Sequence, residues 1–166
     1  ESASLLRAAE EAEAVLRFSP DRIGHALLLP PSVVDALRRN PIPVECCPTS
    51  NVMTLELATS GHDEVGDLVE GLRQHPRLRD WLAFNYPLSV STDDSGVFGT
   101  NPTREILLLA KAFGLDEHAL GRICMRSLEH IFEPSEYART ALFESVQMRI
   151  TKLFIGLGLC YLPQHN

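Results

Sequence analysis

"PLSVSTDDSGVFGTNP", residues 87–102, runs from an apolar stretch through two adjacent aspartates into the start of a helix. The first four residues are typical of a buried strand in a parallel sheet. Asn101 before Pro102 predicts an N-cap followed by the first residue of a helix. Between these elements, Asp93 and Asp94 form either a solvated turn or a site. The pair taken alone favours the turn, since a nearby helix N-terminus stabilises negative charge.

Two upstream stretches show the same order of strand, break and helix. Residues 22–29, "RIGHALLL", predict a strand that Pro30 ends, and residues 42–47, "IPVECC", predict another that Pro48 ends. Strands separated by helices predict βαβ units and therefore a parallel sheet. Three strands are few for such a sheet, and its two exposed edges indicate part of a larger α/β fold.

Helical periodicity fills most of the remaining chain. A first helix is predicted from Ser4 as N-cap, and a second from a capping box of Ser32 and Asp35. Residues 49–63 are predicted to be a polar connection that contains glycine. Further helices are predicted over 68–82 with an interruption at 75–76, over 102–114, over 120–131, and after residue 134.

The composition is that of a globular domain with a core, since 45% of the 166 residues are hydrophobic. The net charge of −7 disfavours a nucleic acid polymer or an anionic membrane as partner. Four cysteines without a C-x-x-C pair favour core packing in a reducing compartment, and we predict a cytoplasmic protein. We expect residues 1–150 to form the α/β part. Residues 151–166 are expected to be a tail of unclear origin. Within it, residues 154–166 continue no helical or strand period, and the apolar run 153–162 is too short to span a bilayer.

Polar side chains follow each predicted strand at a comparable place. His25 lies in the first strand-like run, residues 49–51 follow the second, and Asp93 with Asp94 follow the third. Each feature alone is more often structural: a core histidine, an Asx-turn at Asn51, and a charged turn. The carboxyl ends of parallel strands form the active face of α/β folds, so the three together predict a site.

The other histidines give weaker patterns. His130 and Glu133 have a spacing that suits a metal, but they lie at a predicted helix end, and we interpret them as surface or capping residues. His62, His75, His118 and His165 share no pattern.

Three motifs in order carry a family resemblance. They are "RIGHA" at residues 22–26, "ECCPTSN" at 45–51 and "STDD" at 91–94. Each motif alone is weak, but together they resemble the adenosine/AMP deaminase family of zinc amidohydrolases. The continuation "SGVFGT" is more similar to the adenosine deaminase-like group, which acts on N6-methyl-AMP. The resemblance covers Ser4 to Tyr137 and would make residues 1–150 the C-terminal part of an adenosine deaminase-like barrel domain.

The resemblance implies a fold, a reaction and roles for three residues. The fold would be α/β, with this chain supplying the last three strands and helices of a (β/α)8 TIM barrel. The reaction would be hydrolytic deamination at C6 of a 6-aminopurine nucleoside or nucleotide, of the adenosine or N6-methyl-AMP type, by a water that one Zn²⁺ activates. Asp93 would be a zinc ligand, Asp94 would bind the purine near N7, and His25 would orient the water and help to deprotonate it.

The chain departs from the family pattern in its metal ligands. No His-x-His occurs in it, and Glu1 is left open as a candidate for the family's catalytic glutamate. We therefore expect the chain to be part of a longer parent enzyme and, alone, neither to hold catalytic zinc nor to deaminate. The alternatives are an AMP deaminase-like enzyme or another amidohydrolase, and a non-catalytic half-barrel that binds a partner through its open sheet edges. The oligomeric state stays open.

Overall fold

A computed structural model describes residues 2–58 and 64–160, and within them it contains one parallel sheet. The strands are β1 (Ile23–Gly24), β2 (Val44–Cys46) and β3 (Leu88–Val90), with β2 in the centre. Val44 lies opposite Ile23 in β1 and opposite Leu88 in β3, so all three strands share one register. The residues that follow the strands therefore emerge at the same edge.

Helices separate the strands, as the sequence predicts, and cover the sheet. The helix before the last one ends in a 3-10 turn at Leu128–His130. Within the described ranges no helix is both long and apolar enough to cross a bilayer. The helices are α1 (Ser2–Phe18), α2 (Pro31–Arg39), α3 (Pro48–Thr54), α4 (Glu64–Arg73), α5 (Leu78–Ala83), α6 (Ser95–Phe98), α7 (Pro102–Phe113), α8 (Glu117–Ser127) and α9 (Glu136–Gly156).

The core joins the sheet to the helices that precede and follow β3. Its largest fully buried members come from α2, α4, α5 and α7, and Val44 of β2 belongs to the same cluster. Trp81 stacks on Tyr86 with ring centroids 4.2 Å apart, and the Tyr86 hydroxyl donates to the backbone oxygen of Ile42 at 2.9 Å. Each such side chain stabilises the fold by about 1.5–3 kcal/mol through burial. The core thus runs along the whole sheet, from Val44 to Cys46 and Ala26 beside the polar stretches.

The first strand is shorter than predicted. Residues 22–29 were expected to be extended, but β1 ends at Gly24 because His25 and Ala26 have left-handed backbone conformations, with φ of +61° and +51°. A left-handed residue turns the chain out of the sheet. The strand prediction was therefore wrong beyond Gly24, at the position of a candidate site residue.

Three helix starts also differ from the prediction: α1 already begins at Ser2, before the N-cap expected at Ser4, and the other two are set by proline. The polar connection expected from residue 49 begins instead as α3, because Pro48 occupies the first helical position after β2. The capping box expected at Ser32 is absent, since α2 begins at Pro31 with Pro30 as N-cap and no side-chain cap. Proline, whose fixed φ suits the first turn, sets both boundaries.

The last helix passes the boundary predicted at residue 150. Its N-cap is Ser135, whose hydroxyl accepts from the backbone N–H of Ala138 at 3.2 Å, and the helix continues to Gly156. The expectation that the residues from 154 onward continue no helical period was therefore wrong as far as Gly156. The origin of residues 151–166 stays a prediction, and residues 161–166 lie outside the described part.

Glu105 of α7 connects the segments that follow β2 and β3. Its fully buried side chain accepts the Thr49 backbone N–H at 2.8 Å and the Thr49 hydroxyl at 2.5 Å. The buried Thr100 hydroxyl, which precedes α7, donates to the same carboxylate. Glu105 thereby holds the start of α3 at a fixed distance from the chain that leaves β3.

Replacing Glu105 tests this connection. We expect Glu105→Met to lower the free energy of unfolding by about 3–5 kcal/mol, because three buried donors lose their acceptor. Glu105→Gln keeps one acceptor oxygen, and we expect a loss of about 1 kcal/mol. Urea unfolding of the two variants measures the difference. A methionine variant as stable as the wild type would contradict the interpretation.

Close packing of α3 on α4 gives a second prediction. A Cβ atom at Gly71 would lie 2.6 Å from Cγ1 of the fully buried Val52 and 3.1 Å from the backbone of Leu57. We expect Gly71→Ala to destabilise the protein by about 1–3 kcal/mol in urea unfolding, because the helices must move apart.

Gly156 is the matched control for this substitution. A Cβ atom there meets nothing within 4 Å, and alanine favours a helix. We expect Gly156→Ala to leave the stability unchanged or raise it by up to about 1 kcal/mol. Equal effects at both glycines would show that packing at Gly71 is not tight.

Candidate active site

His25 leaves the sheet at the end of β1, and its ring lies close to side chains that follow β2 and β3. Its backbone N–H donates to the backbone oxygen of Glu45 at 2.8 Å, and this bond continues the pairing of β1 with β2 by one residue. Its side chain is 40% exposed, and Nε2 lies 3.8 Å from Oδ2 of Asp93. The structure thus brings together two of the three residues that the sequence predicts for the site.

Asp93 leaves β3 in a comparable way, with a left-handed φ of +56°. The Ser50 hydroxyl, at the start of α3, donates to its Oδ2 at 2.7 Å, which fixes the carboxylate. His25, Ala26 and Asp93 are therefore three non-glycine residues in a strained conformation at one sheet edge. Such strain costs about 1–3 kcal/mol per residue and is concentrated at functional sites.

Asp94 has a different role in the structure from its neighbour. It is the N-cap of α6, and its Oδ1 accepts the backbone N–H of Val97 at 3.1 Å. One carboxylate oxygen of Asp94 therefore has a structural role in a turn, which is the role that the aspartate pair alone predicts. The local chain direction separates the carboxylates, so Asp93 faces His25 while Asp94 caps the following helix.

Three potential metal ligands meet beside Ser50. Atoms of His25, Cys47 and Asp93 all lie within 4.8 Å of one another, and they provide the nitrogen, sulfur and oxygen donors that Zn²⁺ accepts. Burial, followed by the negative charges of Asp93 and Glu45, raises the pKa of the Cys47 thiol to about 12. Without a cation, Cys47 therefore keeps its proton, whereas Asp93 offers a carboxylate that is already oriented.

A buried row of polar side chains supports His25 from behind. Oδ1 of Asn51 in α3 lies 2.7 Å from Nδ1 of His25, and Nδ2 lies 3.2 Å from Nε2 of His75. Nδ1 of His75 accepts the backbone N–H groups of Arg77 at 3.1 Å and Leu78 at 3.0 Å. His25 is thus held through Asn51 by a ring that is itself fixed to the start of α5.

The sequence analysis assigned no role to His75 or Glu105, although each has a signal. Glu105 shares a helix face with Leu108, Leu109 and Ala112, so a carboxylate lies where an apolar residue is expected. His75 precedes a proline between two helices, a place where side chains often accept backbone N–H groups.

Several weaker predictions have definite outcomes. His130 was interpreted as a surface or capping residue, but it is buried, and burial lowers its pKa. Arg22 donates to the His130 backbone oxygen at 3.0 Å. Glu45 of the second motif pairs with the Arg22 side chain at 3.1 Å. Glu1, His62 and His165 lie outside the described residues.

Comparison with known proteins identifies the family. The adenosine deaminase family model matches residues 7–149. N6-methyl-AMP deaminase of Danio rerio is 33% identical over 154 residues, which are 89% of this chain and 38% of that protein. Aminodeoxyfutalosine deaminase of Streptomyces coelicolor is 30% identical over 122 residues, 72% of this chain and 28% of that protein.

A solved structure, of Arabidopsis ADAL complexed with IMP, has the same fold. It superimposes with a TM-score of 0.68 at 25% identity and covers 86% of this chain and 37% of that one. The likeness confirms the predicted fold class, three parallel strands with helices that form part of a TIM barrel. The chain spans less than two fifths of the length of each of these relatives. Since the family model covers most of its residues, the chain belongs to the adenosine deaminase family.

Proposed function

We propose that the protein forms part of an enzyme that hydrolytically deaminates a 6-aminopurine nucleoside or nucleotide, of the adenosine or N6-methyl-AMP type. A water oxygen forms a bond to C6, and the bond from C6 to the exocyclic nitrogen breaks, so that ammonia or an amine leaves. The observation that carries this proposal is the Ser50-oriented Asp93 carboxylate 3.8 Å from His25 at the carboxyl edge of the sheet. The IMP complex of the Arabidopsis neighbour supports a purine nucleotide as substrate.

Asp93 is the residue that would hold one Zn²⁺. Its Oδ2 is already fixed by the Ser50 hydroxyl at 2.7 Å, which orients the carboxylate as metal ligands require. When bound, the zinc lowers the pKa of a water to about 7 and so supplies the nucleophile.

His25 and Asp94 have different roles in this proposal: His25 acts on the attacking water and Asp94 on the purine. His25 faces the same space as Asp93 and orients the attacking water. Whether it can also take the proton of that water depends on which ring nitrogen already carries one. Asp94 binds the purine near N7 through the carboxylate oxygen that does not cap α6. We infer that the chemistry belongs to the cytoplasmic salvage of purines. The four free cysteines support the reducing compartment, not the pathway.

The 166-residue chain is not expected to deaminate alone. Its sequence contains no His-x-His, so Asp93 lacks the histidine ligands that the family resemblance implies. The tests below therefore use the full-length protein.

The two adjacent aspartates give a matched pair of variants. We expect Asp93→Asn to lose most of the bound zinc and to reduce kcat/KM below detection, because a neutral amide is a poor zinc ligand. We expect Asp94→Asn to keep the zinc and to lower kcat/KM about 10- to 100-fold, since it alters one hydrogen bond to a charged group. Metal analysis and deamination of adenosine, AMP and N6-methyl-AMP measure both effects.

Thermal unfolding of both variants serves as the control for folding. A full-length wild type that deaminates none of the three purines would refute the proposed function. Full zinc content in Asp93→Asn would refute the ligand assignment alone.

A further inference from the structure

The ring of His75 has only one nitrogen that can carry a proton. Its Nδ1 accepts the backbone N–H groups of Arg77 at 3.1 Å and Leu78 at 3.0 Å, and a proton there would oppose both donors. An imidazole keeps at least one proton, so that proton is on Nε2. Burial lowers the pKa of His75 to about 4, so near pH 7 the ring is neutral and carries that proton alone.

The Nε2 proton of His75 decides how the Asn51 amide is oriented. Nδ2 of Asn51 lies 3.2 Å from Nε2 of His75. Because both nitrogens carry protons, two hydrogen-bond donors would then face each other. The amide oxygen and nitrogen have nearly the same shape, so their assignment follows from the hydrogen bonds. Turned by 180°, the amide presents its oxygen to His75 and its nitrogen to His25.

Cys46 agrees with the turned amide. Its Sγ lies 3.8 Å from the same amide atom of Asn51, and burial raises the pKa of this thiol. A thiol that keeps its proton donates to an oxygen at that place. Asn51 is fully buried, so water cannot compensate for an unfavourable orientation.

We propose that His75 is a positioning residue, which acts through the Asn51 amide to keep Nδ1 of His25 a hydrogen-bond acceptor, so that the ring carries its proton on Nε2. Nδ1 of His25 lies 2.7 Å from the amide and accepts its N–H. Nε2 of His25, 3.8 Å from Asp93, then presents an N–H to the site.

The catalytic consequence rests on the proposed function, whereas the proton position itself does not. With its proton on Nε2, His25 has no lone pair on the nitrogen that faces the site. It donates a hydrogen bond to the oxygen of the attacking water and holds it, and in the overall hydrolysis the proton of that water leaves with the ammonia or amine. Of the two roles predicted for His25, orientation is kept and deprotonation is not.

Nitrogen NMR of the full-length protein tests the proton position directly. The protein is labelled with ¹⁵N in its histidines, and two-bond ¹H–¹⁵N correlations are recorded near pH 8.5, about two units above the ordinary pKa of histidine. His25→Gln and His75→Gln variants assign the two rings. We expect both rings to carry their proton on Nε2. A proton on Nδ1 of His25, or on both of its nitrogens, would overturn the proposal without any further variant.

Two substitutions of His75 separate positioning from a structural role. His75→Asn keeps an acceptor near the Nδ1 place, for the Arg77 and Leu78 N–H groups, but no longer reaches Asn51. His75→Gln keeps a donor near the Nε2 place and loses the backbone acceptor. In His75→Asn we expect His25 to become a mixture of two forms, with the proton on Nδ1 or on Nε2. In His75→Gln we expect it to keep its proton on Nε2. The reverse pattern would overturn the proposal, because it would show that His75 affects His25 only by holding the turn at Arg77 and Leu78.

Steady-state kinetics supply a second readout. We expect kcat of His75→Asn to fall about fivefold with KM unchanged, and most of that loss to be recovered in His75→Gln, since one neutral hydrogen bond is at stake. If the wild type does not deaminate but His25 has its proton on Nε2, the proposed function fails and the role of His75 stands. Equal kcat values for both variants and the wild type would refute the catalytic consequence alone.

Discussion

The buried carboxylate of Glu105 is the constraint on which the site depends. It holds the backbone and hydroxyl of Thr49 and the hydroxyl of Thr100, and so joins the helix after β2 to the chain after β3. Ser50 and Asn51 follow Thr49 directly, and they contact Asp93 and His25. A buried acceptor with three donors has one favourable arrangement, so the side chains next to it inherit a fixed geometry.

The backbone at the sheet edge is strained, whereas the hydrogen bonds of Glu105 are favourable. His25, Ala26 and Asp93 adopt left-handed conformations that their side chains disfavour, and each lies where a strand ends. The strain is tolerated because pairing in the sheet on one side and hydrogen bonds to α3 on the other determine these positions. It turns His25 and Asp93 toward each other, which a continued strand would not do.

Much of the architecture was predictable because its signals are local. Asn101, Pro102 and Gly114 predicted the bounds of α7, and the leucines between residues 68 and 82 predicted α4 and α5. The extent of β1 and the start of α3 were not predictable in the same way. Both depend on where the backbone must turn to satisfy groups that are distant in sequence, and periodicity does not report that.

The sequence by itself determined the order of strands and helices, the family motifs, and the candidates His25, Asp93 and Asp94, because strand patterns, caps and motif spacings are properties of short segments. Only the tertiary structure decided that Asp93 faces His25 while Asp94 caps α6, and that Glu105 and His75 support them. Glu105 is 56 residues from Thr49, and His75 is 24 from Asn51. A buried polar group is satisfied by whatever donors and acceptors the fold brings near it, so its partners are set by packing.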